Sequence, residues 1–372
     1  MNANAHWLDE RRADAANRFA ALGVPHRRIE DWKYSDLKTA LGDDGFDGGT
    51  PFGMVTVPRG VENYESDDPA PHWFEAHYGK IGPQNFLSDA SLASERGIIA
   101  LRVPKGAQVA DPILFDWSGS GQKRVLLVVE DGASVSLKES VAARGAMNIG
   151  MEFVLGEGAT LRHVRRSAHR ESAVAMENIA VKEAANAVYR AHYFTTGSRL
   201  SRTEVHIALE GKGAAAHLSG VSVLGGTAHA DVTTHITHAV GHTTSTQLFK
   251  HIAGGKSRAV YQGRITVEQG ADKSDSRQTA KALLMGERAE ADLKPELEIF
   301  ADDVKCAHGA AVGDLDPNSL FYLRARGIPE AEARNMLVRA FLEEAVDEIA
   351  DEAIRATVWQ AVEDALPGAM AP

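Results

Sequence analysis

The only thiol in the chain, Cys306, stands two residues before an imidazole in Cys306-Ala307-His308. Both side chains are ligands for borderline-soft metals such as iron and zinc. The pair follows Leu297-Glu298-Ile299-Phe300, a strand-like run that ends in Asp302-Asp303. If strand geometry continues, residues two apart project from one face, and the sulfur and the ring lie together. Two ligands half-fill a tetrahedral site, and a cluster takes about four protein ligands, so the others would come from another chain, from sulfide or from small thiols. Two other readings of these residues stay open. One is a buried structural cysteine, the commonest fate of an unpaired one; the other is a Cys-His nucleophile pair, for which no orienting group is visible.

Other candidate chemistry is weaker. His229, His235, His238 and His242 share a run with Asp231, but His235 and His238 would point to opposite faces of a strand and fit no helical ligand spacing. They are expected to be solvated or turn histidines. Gly254-Gly255-Lys256-Ser257 resembles the end of a phosphate-binding loop, yet Lys250 stands where that motif needs its first glycine, and no helix follows to supply a dipole. ATP binding by this chain is therefore not expected. Gly156-Glu157-Gly158-Ala159-Thr160-Leu161 fails the dinucleotide fingerprint at its third glycine and reads as a β-turn. No pair of carboxylates identifies an acid and a base, although β-helical hydrolases and lyases acting on polysaccharides remain the competing enzyme class, beside a Cys-His metalloenzyme.

These residues must be positioned by the long middle of the chain, which repeats. A small turn recurs at Gly106-Ala107, Gly132-Ala133, Gly158-Ala159, Asn186-Ala187, Gly213-Ala214, Gly241-His242 and Gly270-Ala271, at intervals of 26, 26, 28, 27, 28 and 29 residues. Strand-like runs precede it, such as Arg124 to Val129, Met151 to Leu155, Val205 to Leu209 and Gly263 to Val267. Others follow it, such as Val135 to Leu137, Leu161 to Val164, Val188 to Tyr193 and Thr244 to Phe249. Strands separated by tight turns at a fixed period predict a solenoid, because each unit must stack on its neighbours to bury its face. With no helical segment inside the repeat, a parallel β-helix is expected; a β-sandwich of hairpins is the alternative. Helical segments at both termini are expected to cap its ends.

The apolar positions Leu8, Ala15, Phe19 and Leu22 predict a helix over His6 to Leu22, stopped by Gly23, Val24 and Pro25. A polar, aromatic stretch from Arg27 to Leu37 and a Gly/Asp-rich loop from Gly42 to Thr50 follow. After Gly313, Asp316-Pro317 opens a helix as N-cap and first helical residue, and Gly327 ends it. A second helix from Pro329 carries Met336, Leu337, Ala340, Phe341, Ala345, Val346 and Ile349 on one wide face, and Ala353 to Leu366 extends it or forms a third. The expected domains are 1–95, helical and mixed; 96–313, the β-helix; and 314–372, helical.

Composition narrows the function. A net charge of -11 with no Lys/Arg run disfavours nucleic acid. Met1 to Phe19 lacks the apolar core of a secretory signal and no run is long enough to span a membrane. One cysteine excludes an intrachain disulfide and suits a reducing cytosol, so a cytoplasmic location is expected. Aromatics at 6% are sparse for a secreted sugar-binding enzyme.

The segment from Ala301 through Cys306-Ala307-His308-Gly309-Ala310, followed by Gly313, Leu315-Asp316 and Leu320 to Ile328, resembles the C-terminal signature of the SufB/SufD family of iron–sulfur cluster assembly proteins. Glu30-Asp31-Trp32-Lys33-Tyr34 is similar to the N-terminal motif of its SufD branch. Glu204 to Gly220, His229-Ala230-Asp231, Gln262 to Ile265 and Leu293 to Ile299 also fit the family pattern. His308-Gly309-Ala310, where the SufB branch usually has Glu after the histidine, the short length and the single cysteine favour the SufD branch; Ala325 departs from the usual Ser. The resemblance implies a right-handed parallel β-helix core flanked by N-terminal and C-terminal helices. It also implies a non-catalytic scaffold of a SufBCD-type complex, pairing with a SufB-like subunit through the β-helix and holding a SufC-like ATPase through the C-terminal helices. His308 would be a ligand to a transient iron–sulfur cluster shared with the partner, and Cys306 a weaker one. No nucleotide is expected on this chain. A homodimer of the isolated chain and reduced flavin in the assembled complex are left open by the sequence.

Overall fold

The computed structural model describes residues 6–43, 45–46, 49–64, 70–94 and 98–370. Its centre is a stack of parallel strands in two facing sheets. One sheet contains Thr160–Ser167, Val188–Thr195, Ala215–Leu224, Thr244–Ala253, Asp275–Leu284 and Lys305–Gly313. The other contains Ile98–Val103, Val174–Glu183, Leu200–Leu209, His229–His238, Arg258–Val267 and Glu290–Ile299. Two long strands, Ile113–Val129 and Ser134–Leu155, pass from the first sheet into the second and join them. Successive strands alternate between sheets, each pairing in register with the strand two ahead, which is the parallel β-helix that the repeat predicts.

The repeat holds because the same turn closes every coil. Gly106, Gly132, Gly158, Asn186 and Gly213 all take positive φ, between 56° and 80°. Further on, the stacked left-handed positions are His242 (φ 60°) and Lys273 (φ 64°), whose amides donate to the carbonyls of Asp272 and Asp303. Gly270-Ala271 forms an additional turn just ahead of Lys273, so the last coil is longer than the sequence spacing suggests. A lysine in the left-handed region is strained by roughly 1 kcal/mol relative to glycine. Its ion pair with Asp303 is exposed and offsets little of this. Lys273→Gly is therefore expected to raise unfolding free energy by about 1 kcal/mol in chemical denaturation, and an unchanged midpoint would refute the strain.

Between the sheets, alternate residues meet as a continuous core that includes Leu101, Trp117, Phe153, Leu161, Ile207, Leu218 and Phe249. The flanks decide the rest of the architecture. Three helices follow the last strand: Pro317–Ala325, which buries no side chain fully, packs on Glu330–Val346, and Glu330–Val346 and Glu352–Ala369 fold back along the outer face of the first sheet. There Val338, Leu342, Val358 and Val362 pack on Phe194, Val221, Val223 and Ile252. The expectation that the C-terminal helices cap the solenoid end is thus corrected: they lie on its side, because that outer face is itself apolar. The end of the last helix presses on the turn at Gly254-Gly255, where a Cβ on Gly254 would sit 1.7 Å from the Ala369 carbonyl oxygen. The Gly254-Ser257 segment is a tight turn between strands.

The predicted helix His6–Leu22 forms, with Ala15 buried but Leu22 exposed. It packs with Phe86–Ala93, a wholly unanticipated helix whose first seven residues are buried, over the second sheet. Two short antiparallel strands, Phe52–Thr56 and Glu62–Tyr64, and the helices Leu37–Leu41 and His72–His77 complete this flank. Part of the Gly42 to Thr50 loop lies outside the described residues.

Candidate functional site

The strand Glu290–Ile299 ends, the chain turns, and a new strand, Lys305–Gly313, begins in the opposite sheet. Cys306 and His308 are therefore not on a continuation of the Leu297 run. They still share a face, since the new strand keeps the period of two. Register places them on the inward columns of the solenoid. Cys306 stacks on Ser276, Ser245, Ala216 and Tyr189, and His308 on Gln278, Gln247, Leu218 and Ala191. Among the described residues no further coil covers them, so the last two strands each pair there on one edge only and the interior opens to solvent.

This mouth is chemically mixed. Cys306 is partly buried against Ile265, Val267, Ala271, Leu297 and Val304. Burial, followed by the nearby Asp275 carboxylate, pushes its thiol above the usual range. A protonated, half-buried thiol is a poor nucleophile. His308 is exposed beside it. Among the described residues no group of three or more His, Cys, Asp or Glu side chains converges as a metal cage. The rim is apolar, with Ile299 41%, Phe300 62% and Val312 47% exposed. An unpaired sheet edge rimmed by exposed large apolar side chains is a surface suited to pairing with another chain.

Directly behind the mouth the interior is polar, which the sequence reading missed. Ser276 and Ser245 are hydrogen-bonded at 2.7 Å, and Ser245 meets His238 Nε2 at 2.9 Å. His238 Nδ1 lies 2.7 Å from the Thr243 hydroxyl. Gln247 Oε1 accepts from Thr234 at 2.6 Å and from Tyr261 at 3.1 Å. A signal was available: Ser, Gln and His fill the strand phase that Val, Leu and Ala occupy in the preceding coils.

The other singled-out histidines separate. His242 is the expected turn residue. His235 faces outward, its ring stacked on His206 at 4.6 Å. His229 lies 3.3 Å from the Ser35 hydroxyl. His238 is fully buried, correcting the expectation of a solvated or turn residue; burial depresses it to about 4.

The Glu30 to Tyr34 motif is a strap across successive coils of the second sheet. Lys294 Nζ donates to Glu30 at 2.6 Å, Gln262 Nε2 to the Asp31 carbonyl at 3.3 Å, and the Arg202 guanidinium lies 4.2 Å over the Trp32 ring. Next to it Ser35 donates to Asp231 at 2.5 Å. The helical face expected around Met336 divides. Val338, Leu342, Ala345, Val346 and Ile349 are buried, Leu337 and Phe341 are half-buried, and Met336 and Ala340 are exposed, as are Phe321 and Tyr322 on the preceding helix.

Residues 116–341 match the family model described as SUF system FeS cluster assembly, SufBD core domain. The chain is 39% identical over 177 residues to the iron–sulfur cluster assembly protein SufD of Escherichia coli, covering 48% of this chain and 42% of that protein. It is 26% identical to a SufBD family iron–sulfur cluster assembly protein of Synechocystis, covering 95% of this chain and 90% of that one. The SufD protein of Bacillus subtilis is 27% identical over 297 residues, with 74% and 66% covered. The family match takes in most of the solenoid, the Cys306–His308 strand that ends it and the start of the helices that flank it, and spans more than half of the sequence: the chain belongs to the SufB/SufD family of iron–sulfur cluster assembly proteins.

Proposed function

We propose that this chain acts in iron–sulfur cluster assembly as a SufD-type scaffold without catalysis of its own, pairing its open solenoid mouth with a SufB-like subunit. The observation that carries this reading is the mouth itself: two unpaired strand edges and an exposed apolar rim around Cys306 and His308. A docked partner strand would satisfy those edges and bring its own ligands to a thiol and an imidazole that form half a site. The nascent cluster is the cargo, and His308, the more exposed of the two, is the better-placed ligand. ATP hydrolysis would belong to a SufC-like partner held on the C-terminal helices, where Phe321, Tyr322 and Met336 remain exposed.

The test is co-purification of the tagged chain with its SufB-like and SufC-like partners, then anaerobic reconstitution with iron and sulfide. His308→Ala is expected to leave the complex intact and remove most of the cluster absorbance. Normal cluster yield would sink the ligand role, and failure to form any complex would return the chain to the enzyme class. The same unpaired edges suit a second copy of this chain, which light scattering of the isolated protein would reveal.

The helical face divides into separable predictions. Phe321→Asp is expected to weaken binding of the ATPase partner without changing the melting temperature. Ile349→Asp places a charge at a site only 5% exposed and is expected to cost about 3 kcal/mol or more of stability. Equal melting of Ile349→Asp and wild type would show that this residue is not in the core.

A further inference from the structure

A cavity of about 370 Å³ lies on the flank, away from the mouth, between the outer face of the first sheet and the loop joining the last two helices. Its sheet wall carries Arg162 and Arg190, which are direct neighbours on adjacent strands. Its loop wall carries Glu348 and Asp351. Ile349 and Ile354, both buried, contribute an apolar floor between them.

The charges on both walls lack the partners they would ordinarily take. Arg162 donates only to the Ser134 hydroxyl, at 3.1 Å, and Arg190 makes no ion pair or hydrogen bond with a described residue. Glu348 is likewise without an ion pair, and Asp351 accepts only the Ile354 amide of the helix it caps, at 2.9 Å. Like charges directly opposite on neighbouring strands repel, so two adjacent guanidiniums favour an anionic group between them. A simple anion would meet the carboxylates across the cavity, and a simple cation would meet the guanidiniums. The nearby His217 does not add to the positive wall: burial, then Arg190, depresses it to about 4, so it is neutral at pH 7.

We propose that this cavity binds a zwitterionic small molecule of amino-acid type, its carboxylate on Arg162 and Arg190, its ammonium on Glu348 and Asp351, and its apolar body on the floor. The volume is in the range of small-ligand sites, whose walls are largely apolar with a few convergent polar groups. Such an occupant bridges the solenoid and the C-terminal helices, which otherwise meet here across a gap.

The test uses the full isolated chain with methyl-labelled isoleucines, Ile349 and Ile354 being the reporters, observed by NMR. Leucine is the zwitterionic probe, 4-methylpentanoate its carboxylate-only analogue and isoamylamine its ammonium-only analogue. Leucine is expected to shift both methyl signals and to bind at least about tenfold more tightly than either analogue. Arg190→Gln should weaken leucine and 4-methylpentanoate but not isoamylamine, and Glu348→Gln should weaken leucine and isoamylamine only. Both side chains are exposed, so unchanged melting is expected to accompany these losses. No shift with leucine, equal binding of either analogue, or indifference to both variants would overturn the proposal, whatever the outcome of cluster reconstitution at the mouth.

Discussion

Arg165→Met is expected to cost this protein about 3–5 kcal/mol, a large share of the total stability of an ordinary domain. Arg165 is 1% exposed inside the solenoid and meets two carboxylates, Glu139 at 2.9 Å and Glu177 at 2.8 Å. Glu139 also accepts from the Trp117 indole at 2.8 Å and lies 2.9 Å from His163 Nε2. Glu177 accepts from Thr203 at 2.7 Å and from Ser167 at 3.2 Å. Burial alone would raise the Glu139 carboxyl, but Arg165, then His163, and the indole outweigh it and hold it below the usual range. Removing the guanidinium leaves two carboxylates in a dry interior with only neutral donors and one imidazole. Chemical denaturation measures the loss. A triple replacement of Glu139, Arg165 and Glu177 by apolar residues should recover much of it, since a buried ion network is far costlier to break than to replace. A loss under about 1 kcal/mol for Arg165→Met alone would show that water reaches the network.

The second large effect is acid sensitivity between pH 6.5 and about 4. Burial depresses His169, His238 and His251 to about 4 and His192 to about 3, with burial the leading cause in each case. Each is therefore neutral in the folded protein over a range where the unfolded chain binds a proton. Because the unfolded state takes up more protons there, stability falls as pH falls: the contribution is whole above about 6.5 and is lost progressively toward the folded values. One imidazole shifted from 6.5 to about 4 accounts for on the order of 3 kcal/mol at the acid end. Thermal unfolding at pH 7.5, 6 and 5 is expected to show a steady decline, and His251→Gln, which keeps a polar group beside Ser222, should flatten it. A melting temperature that does not move across this range would mean that these rings are already protonated or hydrated when folded.

Much of the architecture was legible because it depends on local periodicity. The recurring small turn marks each coil, since few residues other than glycine and asparagine take a positive φ readily. The period of two along a strand was enough to put Cys306 and His308 on one face. Capping chemistry located the helix after Gly313, where Asp316 accepts from the Asn318 and Ser319 amides at 3.1 Å. At Phe86–Ala93 the same kind of local signal failed: seven of its eight residues are buried, so no polar face marks it as amphipathic.

What only the tertiary structure decided is whatever joins segments far apart in the chain. The Glu30 strap meets Lys294 across 264 residues, and no local pattern encodes such a meeting. The burial of His238, the charged network around Arg165 and the polar lumen behind the mouth depend on which coil stacks on which. The C-terminal helices lie along the flank because Phe194, Val221, Val223 and Ile252 make the outer face of one sheet apolar. By itself the sequence determined the repeating coil and the shared face of thiol and imidazole, both consequences of short-range geometry. That this face lies at an end that the described helices leave uncovered was decided by where those helices found apolar surface to bury.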